Sequence, residues 1–271
     1  MNSAVKPILK WPGGKRWFAN KYLDLMQVDA DRYVEPFVGS GALFFALNPE
    51  DALLSDANAN LIEMYEAIQS EWKNVWTKLR AHARNHSDDY YYRVRSSKPT
   101  SKAGRAAQFI YLNRTCFNGI YRVNRKGEFN VPRGSKDTVL FDDDDFEAVA
   151  ESLSSAKLFT SDFESIIDLC GQGDLIYADP PYTANHNNNG FLKYNEKLFS
   201  WSDQIRLAKC LEKAGERGAL FVVSNADHFS VRELYEEIGF IETVGRSSIL
   251  AADSTKRCLT TEIVVKNFSV G

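Results

Sequence analysis

Short apolar runs that end on a glycine or an acid and lead into helical spacing recur along this chain, and they constrain its fold most. Tyr33-Val34-Glu35-Pro36-Phe37-Val38 reads as a strand, followed by Gly39-Ser40-Gly41 and the apolar helix start Ala42-Leu43-Phe44-Phe45-Ala46-Leu47. Ala52-Leu53-Leu54-Ser55-Asp56 reads as a second strand, and Leu158-Phe159-Thr160 as another, ahead of Asp162. Leu175-Ile176-Tyr177-Ala178 runs into Asp179, and Ala219-Leu220-Phe221-Val222-Val223 follows an expected helix over 203–217. A helix over 231–238 and a strand over 262–265 complete the rhythm. Alternation of this kind defines an α/β fold.

The middle of the chain breaks that rhythm. Leu61, Met64, Tyr65, Ile68, Trp72, Val75, Trp76 and Leu79 fall at helical spacing, and 103–112 is expected to be helical as well. Residues 119–131 alternate around Asn124-Arg125-Lys126-Gly127, which predicts a β-hairpin. The expected organisation is therefore an α/β part formed by 1–60 and 157–271, with a mostly helical insert at 61–156. The polar stretches 99–102 and 187–190 read as loops.

With 271 residues, 44% hydrophobic and 25% charged, the chain suits one large domain carrying an insertion. No apolar stretch approaches a membrane span, and the N-terminus lacks the apolar core of a signal peptide. Cys116, Cys170, Cys210 and Cys258 lie far apart without metal-ligand spacing, so a reduced cytoplasmic protein without a metal is expected. The net charge of −3 argues against a nucleic-acid partner only until it is mapped. Residues 93–136 carry +10 and the remainder −13, including the run Asp142-Asp143-Asp144-Asp145. The basic residues are interleaved with Tyr111, Phe117, Tyr121 and Phe129, a pattern that suits nucleic acid better than a plain solvated face.

Asp179-Pro180-Pro181-Tyr182 falls where the fold places ligand chemistry, at the C-terminal end of a strand. A plain turn would use the same prolines. The chemical alternative is an amine grip. The lone pair of an adenine amine is delocalised into the ring, which makes the nitrogen a poor nucleophile. A carboxylate and a carbonyl that accept both N–H bonds push it toward a tetrahedral form. Proline fixes the carbonyl in front of it, and the tyrosine ring can stack on a base.

The strand-Gly39-x-Gly41-helix pattern lets a backbone approach a ligand closely. A dinucleotide fingerprint needs a third glycine at 44, where Phe44 stands, so a nicotinamide cofactor is disfavoured. Asp56 closes the next strand 15 residues after Gly41 and suits ribose hydroxyls, or else caps the following helix. Asp162 suits an adenine amino group, with helix capping again the alternative. Lys10-Trp11-Pro12-Gly13-Gly14-Lys15 is a basic turn able to hold a carboxylate or phosphate, without P-loop spacing.

Taken together, these motifs resemble the Dam family of DNA adenine-N6 methyltransferases, in their order and over nearly the whole chain. Lys10 to Lys15 is similar to the family's Lys-Trp-Ala-Gly-Gly-Lys, with Pro12 in place of Ala. Residues 35–41 match its cofactor loop, and Ser55-Asp56-Ala57-Asn58 its second cofactor motif. Residues 113–122 and 127–132 match its recognition hairpin, and Ser224-Asn225 and Arg246-Ser247 its later motifs. Residues 249–256 depart more.

The resemblance implies a Rossmann-like, S-adenosylmethionine-dependent methyltransferase domain with an inserted target-recognition domain. It implies S-adenosylmethionine bound by Trp11, Lys15, Pro36, Phe37, Gly39, Ser40, Gly41, Asp56, Asp162 and Asp179. Asp179, Pro180, Pro181 and Tyr182 would be catalytic. Double-stranded DNA would meet Lys10, Asn118, Ile120, Arg122, Asn124, Arg125 and Pro132, with Lys10 and Arg122 on guanines and GATC as the usual site. Arg114 and Asn130 are expected to brace the hairpin instead. A flipped-out adenine, direct transfer without a covalent enzyme intermediate, no metal and a monomer in solution complete the expectation. Residues 191–194 either line the flipped-base pocket or form an aromatic loop. The rival readings are methylation of an RNA or protein amide, and a DNA-binding protein whose chemistry has decayed.

Overall fold

The computed structural model describes residues 5–124, 126–183, 199–247 and 259–269. They fall into two compact units, one from within 1–23, 38–50 and 56–160 and the other from within 24–37, 51–55 and 161–271. The strands form a seven-stranded mixed sheet in the order β3-β2-β1-β4-β5-β7-β6. These are β1 (Arg32–Glu35), β2 (Ala52–Asp56), β3 (Ala156–Thr160), β4 (Asp174–Ala178), β5 (Leu220–Ala226), β6 (Phe240–Ser247) and β7 (Leu259–Lys266).

In the second unit, β1 pairs in parallel with both β2 and β4, and β4 in parallel with β5. β7 runs antiparallel to β5 and to β6. Strand order therefore reverses between β1 and β4, and the chain leaves these neighbours at Glu35 and at Ala178. Open α/β sheets bind ligands at such a switch point, outside the carboxyl ends of the strands. β4 is buried along its whole length, which is why its sequence is a continuous apolar run after Asp174.

One face of this sheet is covered by α7 (Phe163–Ile167) and α8 (Trp201–Glu216), with α9 (Phe229–Tyr235) following β5. Val34, Ile176, Phe221, Val223, Ile263 and Val265 pack there against Phe163, Ile167, Leu207, Leu211 and Ala214, all buried. α8 starts at Ser200, whose hydroxyl accepts from the Asp203 amide while the Asp203 carboxylate accepts from the Ser200 amide. This reciprocal cap explains the sharp helix start.

The first unit is mainly helical, with α1 (Arg16–Tyr22), α2 (Ala42–Leu47), α3 (Ala59–Arg84), α4 (Asp88–Ser96), α5 (Lys102–Thr115) and α6 (Phe146–Leu153). α3 packs on α5 and α6, and its Leu61, Met64, Tyr65, Ile68, Val75 and Leu79 are buried. The helix expected near 61–79 is longer and contains a kink, with Glu71 at φ −149° and ψ 41°. The expected hairpin follows a hairpin path held by single bridges, Val123 to Phe129 and Cys116 to Arg133. Left-handed backbone at Asn118, Gly119 and Gly127 interrupts any regular ladder there. Residues 99–102 lead directly into α5, whose first turn is capped by the Ser101 hydroxyl. The stretches 187–190 and 191–194 lie outside the described residues.

Candidate active site and recognition segment

In the first unit, the loop after β1 is shaped by two left-handed glycines, Gly39 at φ +47° and Gly41 at φ +67°. A Cβ on Gly39 would lie 2.9 Å from Cδ1 of Trp11, and one on Gly41 would lie 2.9 Å from Cε2 of Phe45. Both positions thus need glycine for conformation and for space. The Gly39 amide donates to Asp56 Oδ2 at 3.2 Å, and its carbonyl accepts from the Tyr65 hydroxyl at 2.9 Å. Ser40, between the two glycines, is buried.

Asp56 does not cap α3. Asn58 does, accepting from the amides of Asn60 and Leu61. Asp56 Oδ1 instead accepts from the Asn58 amide at 2.9 Å. Burial raises the Asp56 carboxyl above the ordinary range, against the pull of these two amides. Such an acid, fixed to the glycine loop and not used as a cap, suits a hydroxyl donor from a ligand.

Gly13 turns the basic segment at φ +77°, and the Gly14 amide closes the turn onto the Trp11 carbonyl at 3.0 Å. Lys15 is buried, its ammonium 5.8 Å from the Trp17 ring centroid. Trp11 stacks with Phe109 and Tyr121 at centroid distances of 6.3 and 6.0 Å. Tyr121 continues to Phe129 at 5.7 Å and accepts from the Asn60 amide group at 2.7 Å. One aromatic row therefore joins Trp11, which lies against Gly39, to the hairpin.

The candidate recognition segment is anchored by Asn113, which is buried. Its side chain accepts from the Lys10 amide at 2.9 Å and donates to the carbonyls of Lys10 at 2.7 Å and Gly119 at 3.2 Å. Lys10 places its ammonium 4.8 Å from the Phe141 ring, and burial, followed by Lys136 and Arg114, lowers its pKa. Arg122 and Pro132 are exposed, as is Asn118 at φ +54°, while Ile120 is half-buried. Arg122 Nε donates to Asn130 Oδ1 at 2.9 Å, so Asn130 braces the arginine. Asn124 builds the turn: its Oδ1 accepts from the amides of Lys126 and Glu128 at 2.9 and 3.0 Å. Arg125 lies outside the described residues. Arg114 is fully buried and donates to the carbonyls of Ile8 and Val139 and to both Asp144 oxygens, each at 2.6 Å. It holds three chain segments together and faces no solvent.

In the second unit, Asp179 follows β4 directly and accepts at Oδ1 from the Ser224 hydroxyl at 2.8 Å. Ser224 Oγ lies 3.0 Å from the Tyr177 hydroxyl. The Pro181 carbonyl accepts from Gln204 at 3.4 Å, and Gln204 Oε1 accepts from Asn225 at 2.9 Å. Tyr182 donates to Glu262 Oε2 at 2.7 Å. Burial, then the charges of Asp179 and Glu262, push the Tyr182 phenol well above its ordinary range, so it stays neutral. Ser224, Asn225, Gln204 and Glu262 are all buried.

Pro36 accepts from the Ser55 hydroxyl at 3.4 Å, and Phe37 stacks on Phe163 at 5.4 Å. Asp162 caps α7 through the Glu164 amide and is also gripped by Arg206 at 2.7 and 2.9 Å. Arg206 is the leading cause that lowers its carboxyl pKa.

Sequence reasoning overlooked Gln204, Glu262 and Tyr177, and reached Ser224-Asn225 only as a motif. The available signal was polarity inside apolar strands: Ser224-Asn225 after Phe221-Val222-Val223, and Glu262 before Ile263-Val264-Val265. Among the described residues, no group of three or more His, Cys, Asp or Glu is arranged to hold a metal ion. None of the described helices is long and apolar enough to cross a membrane.

The family model for D12 class N6 adenine-specific DNA methyltransferases matches residues 11–249. The type II methyltransferase M1.LlaDCHI of Lactococcus lactis subsp. cremoris is 35% identical over 97% of this chain and 96% of its own length. The type II methyltransferase M.MjaIII of Methanocaldococcus jannaschii is 32% identical over 97% of this chain and 99% of its own. A DNA adenine methylase of Haemophilus influenzae is 31% identical over 96% and 92%. The chain belongs to the D12 class of N6 adenine-specific DNA methyltransferases, as its motifs led one to expect. It is an adenine-specific DNA methyltransferase.

Proposed function

We propose that this enzyme transfers a methyl group from S-adenosylmethionine to the N6 amine of an adenine flipped out of duplex DNA, within GATC. The observation that carries the reading is Asp179-Pro180-Pro181-Tyr182 at the carboxyl end of β4, beside the sheet's switch point, with its first and last side chains held by buried groups.

The residues fit the donor. Gly39 and Gly41 keep side chains out of a loop whose amide is tied to a half-buried carboxylate, Asp56. Trp11, Lys15, Pro36, Phe37, Ser40, Asp56 and Asp179 would hold the donor. Asp162, occupied by Arg206 and by its cap, would offer only its remaining acceptor capacity. When bound, S-adenosylmethionine supplies a methyl group on a positively charged sulfur.

The protein's own part is to present the amine. Asp179 accepts one N–H, the Pro180 carbonyl accepts the other, and Tyr182 stacks on the base. Flipping costs a few kcal/mol, and orientation of the held amine supplies much of the acceleration. On the DNA, Lys10 and Arg122 read guanine edges, while Asn118, Ile120, Arg125 and Pro132 line the approach. Asn124 contributes by fixing the turn. Residues 61–156 serve as the target-recognition domain, and 1–60 with 157–271 as the catalytic domain, in a monomer.

Transfer of labelled methyl to unmethylated duplex DNA, with modified positions mapped by sequencing, tests this reading. N6-methyladenine in GATC is expected. Methylation in another sequence would overturn the specificity and leave the chemistry. Transfer to RNA or protein in preference to DNA would overturn the substrate.

A further inference from the structure

We propose that Ser224 is a positioning residue for the methyl-transfer site, holding the Asp179 carboxylate in its working orientation, and that Tyr177 holds Ser224 in turn. The proposal rests on the reading that Asp179 grips the reacting amine.

β4 and β5 run in parallel with Tyr177 opposite Val222 and Ala178 opposite Val223. Carried on by one residue, that register sets Asp179 beside Ser224. Tyr177 and Asp179 are two positions apart and so share one side of the strand path. Ser224 reaches both, at 3.0 and 2.8 Å.

A hydroxyl has one hydrogen to give. Ser224 gives it to Asp179 Oδ1, so the Tyr177 hydroxyl is the donor in the other pair. The result is a directed chain from Tyr177 to Ser224 to the Asp179 carboxylate. Tyr177 and Ser224 are both fully buried. A serine at this depth costs stability unless its hydroxyl is satisfied, and valine would serve the apolar strand better. A serine here makes sense if the carboxylate needs a fixed rotamer.

Two consequences separate positioning from mere packing. A hydrogen bond donated to a carboxylate favours its charged form, the form that accepts an N–H. It also removes rotamers in which Asp179 points away from the amine. Tyr177 and Tyr182 face the Asp179 charge, with Glu262 acting on both tyrosines and Glu35 on Tyr177. A Ser224 substitution leaves all of these titratable groups in place, so a changed pH profile reports the lost donor.

The experiment uses the full-length enzyme on duplex DNA at saturating S-adenosylmethionine. Ser224→Ala is expected to lower kcat by about 10- to 100-fold, since a misaimed group near the chemistry costs on that order. KM for DNA and for the donor should stay near the parent's values, and the acid limb of the kcat profile should move to higher pH. Ser224→Thr, which keeps the hydroxyl, should restore most of the rate. Tyr177→Phe should lower kcat less, and should have little effect when Ser224 is already alanine. Thermal melts identify any variant that fails to fold. A folded Ser224→Ala enzyme with kcat within about twofold of the parent and an unmoved acid limb would overturn the proposal. So would a folded threonine variant as slow as the alanine one. A parent enzyme that transfers no methyl to DNA would overturn the underlying reading, a failure distinct from these two.

Discussion

The phenol of Tyr182 donates a 2.7 Å hydrogen bond to Glu262, a carboxylate only 2% exposed on β7. The fourth residue of Asp-Pro-Pro-Tyr is thus fixed by a strand that no local motif connects to it. Ala226 opposite Glu262 in the β5–β7 register brings that acid to the same end of the sheet as Ser224. Glu262→Gln keeps an acceptor for the phenol and should retain most activity. Glu262→Leu removes it and should lower kcat/KM by about tenfold, with about 1–3 kcal/mol of stability lost. Steady-state kinetics and urea midpoints on both variants check this. Equal activity in the two would show that Tyr182 needs no such anchor.

Arg114 and Asp144 form an ion pair that is 0% and 4% exposed. Removing one partner of a buried pair strands the other's charge. Arg114→Ala should therefore cost about 3–5 kcal/mol of unfolding free energy. Arg114→Ala with Asp144→Asn should cost less than the single change. Denaturant titrations measure both.

Arg122 is exposed and braced by Asn130. Arg122→Ala should lose about 1–3 kcal/mol of discrimination at one guanine while non-specific affinity persists. Asn130→Ala should weaken the same discrimination in part. Binding measured across single-base variants of the site tests this. A uniform loss over all sequences would make Arg122 a phosphate contact.

His82 is packed on Tyr111 at 5.0 Å and bonded to the Tyr90 hydroxyl at 2.9 Å. Burial, then the charge of Lys78, lowers its pKa to about 4 from an ordinary 6.5. As pH falls through that window, the unfolded chain takes up the proton first, so folding stability falls with it. The slope is at most about 1.4 kcal/mol per pH unit. It should be smaller than that because the ring is partly exposed and screened. His82→Gln should flatten stability between about pH 6.5 and 4, read from urea midpoints.

The sheet was legible where strands are buried on both faces. β4 and β5 declare themselves as Leu175-Ile176-Tyr177-Ala178 and Phe221-Val222-Val223. β6 was not, because an edge strand is only partly covered: Phe240 is exposed, and Glu242 sits in solvent against Lys266. α4 escaped because Asp88-Asp89-Tyr90-Tyr91-Tyr92-Arg93-Val94-Arg95-Ser96 offers little aliphatic periodicity. At the site, Asp179, Tyr182, Gly39 and Asp56 could be read from local motifs. Ser224 and Glu262, which hold Asp179 and Tyr182, come from distant strands placed by the β4–β5 and β5–β7 registers, and Gln204, which holds the Pro181 carbonyl, comes from α8. At Asp56 the sequence left capping and ligand binding open, and the structure gives the cap to Asn58.

The most direct test of the account is methyl transfer by Asp179→Ala, measured beside its DNA binding. Transfer to adenine should be abolished while duplex DNA is bound with near-parent affinity. Retained turnover in a folded Asp179→Ala enzyme would contradict this, because the amine would then be activated by some group other than the carboxylate that follows β4.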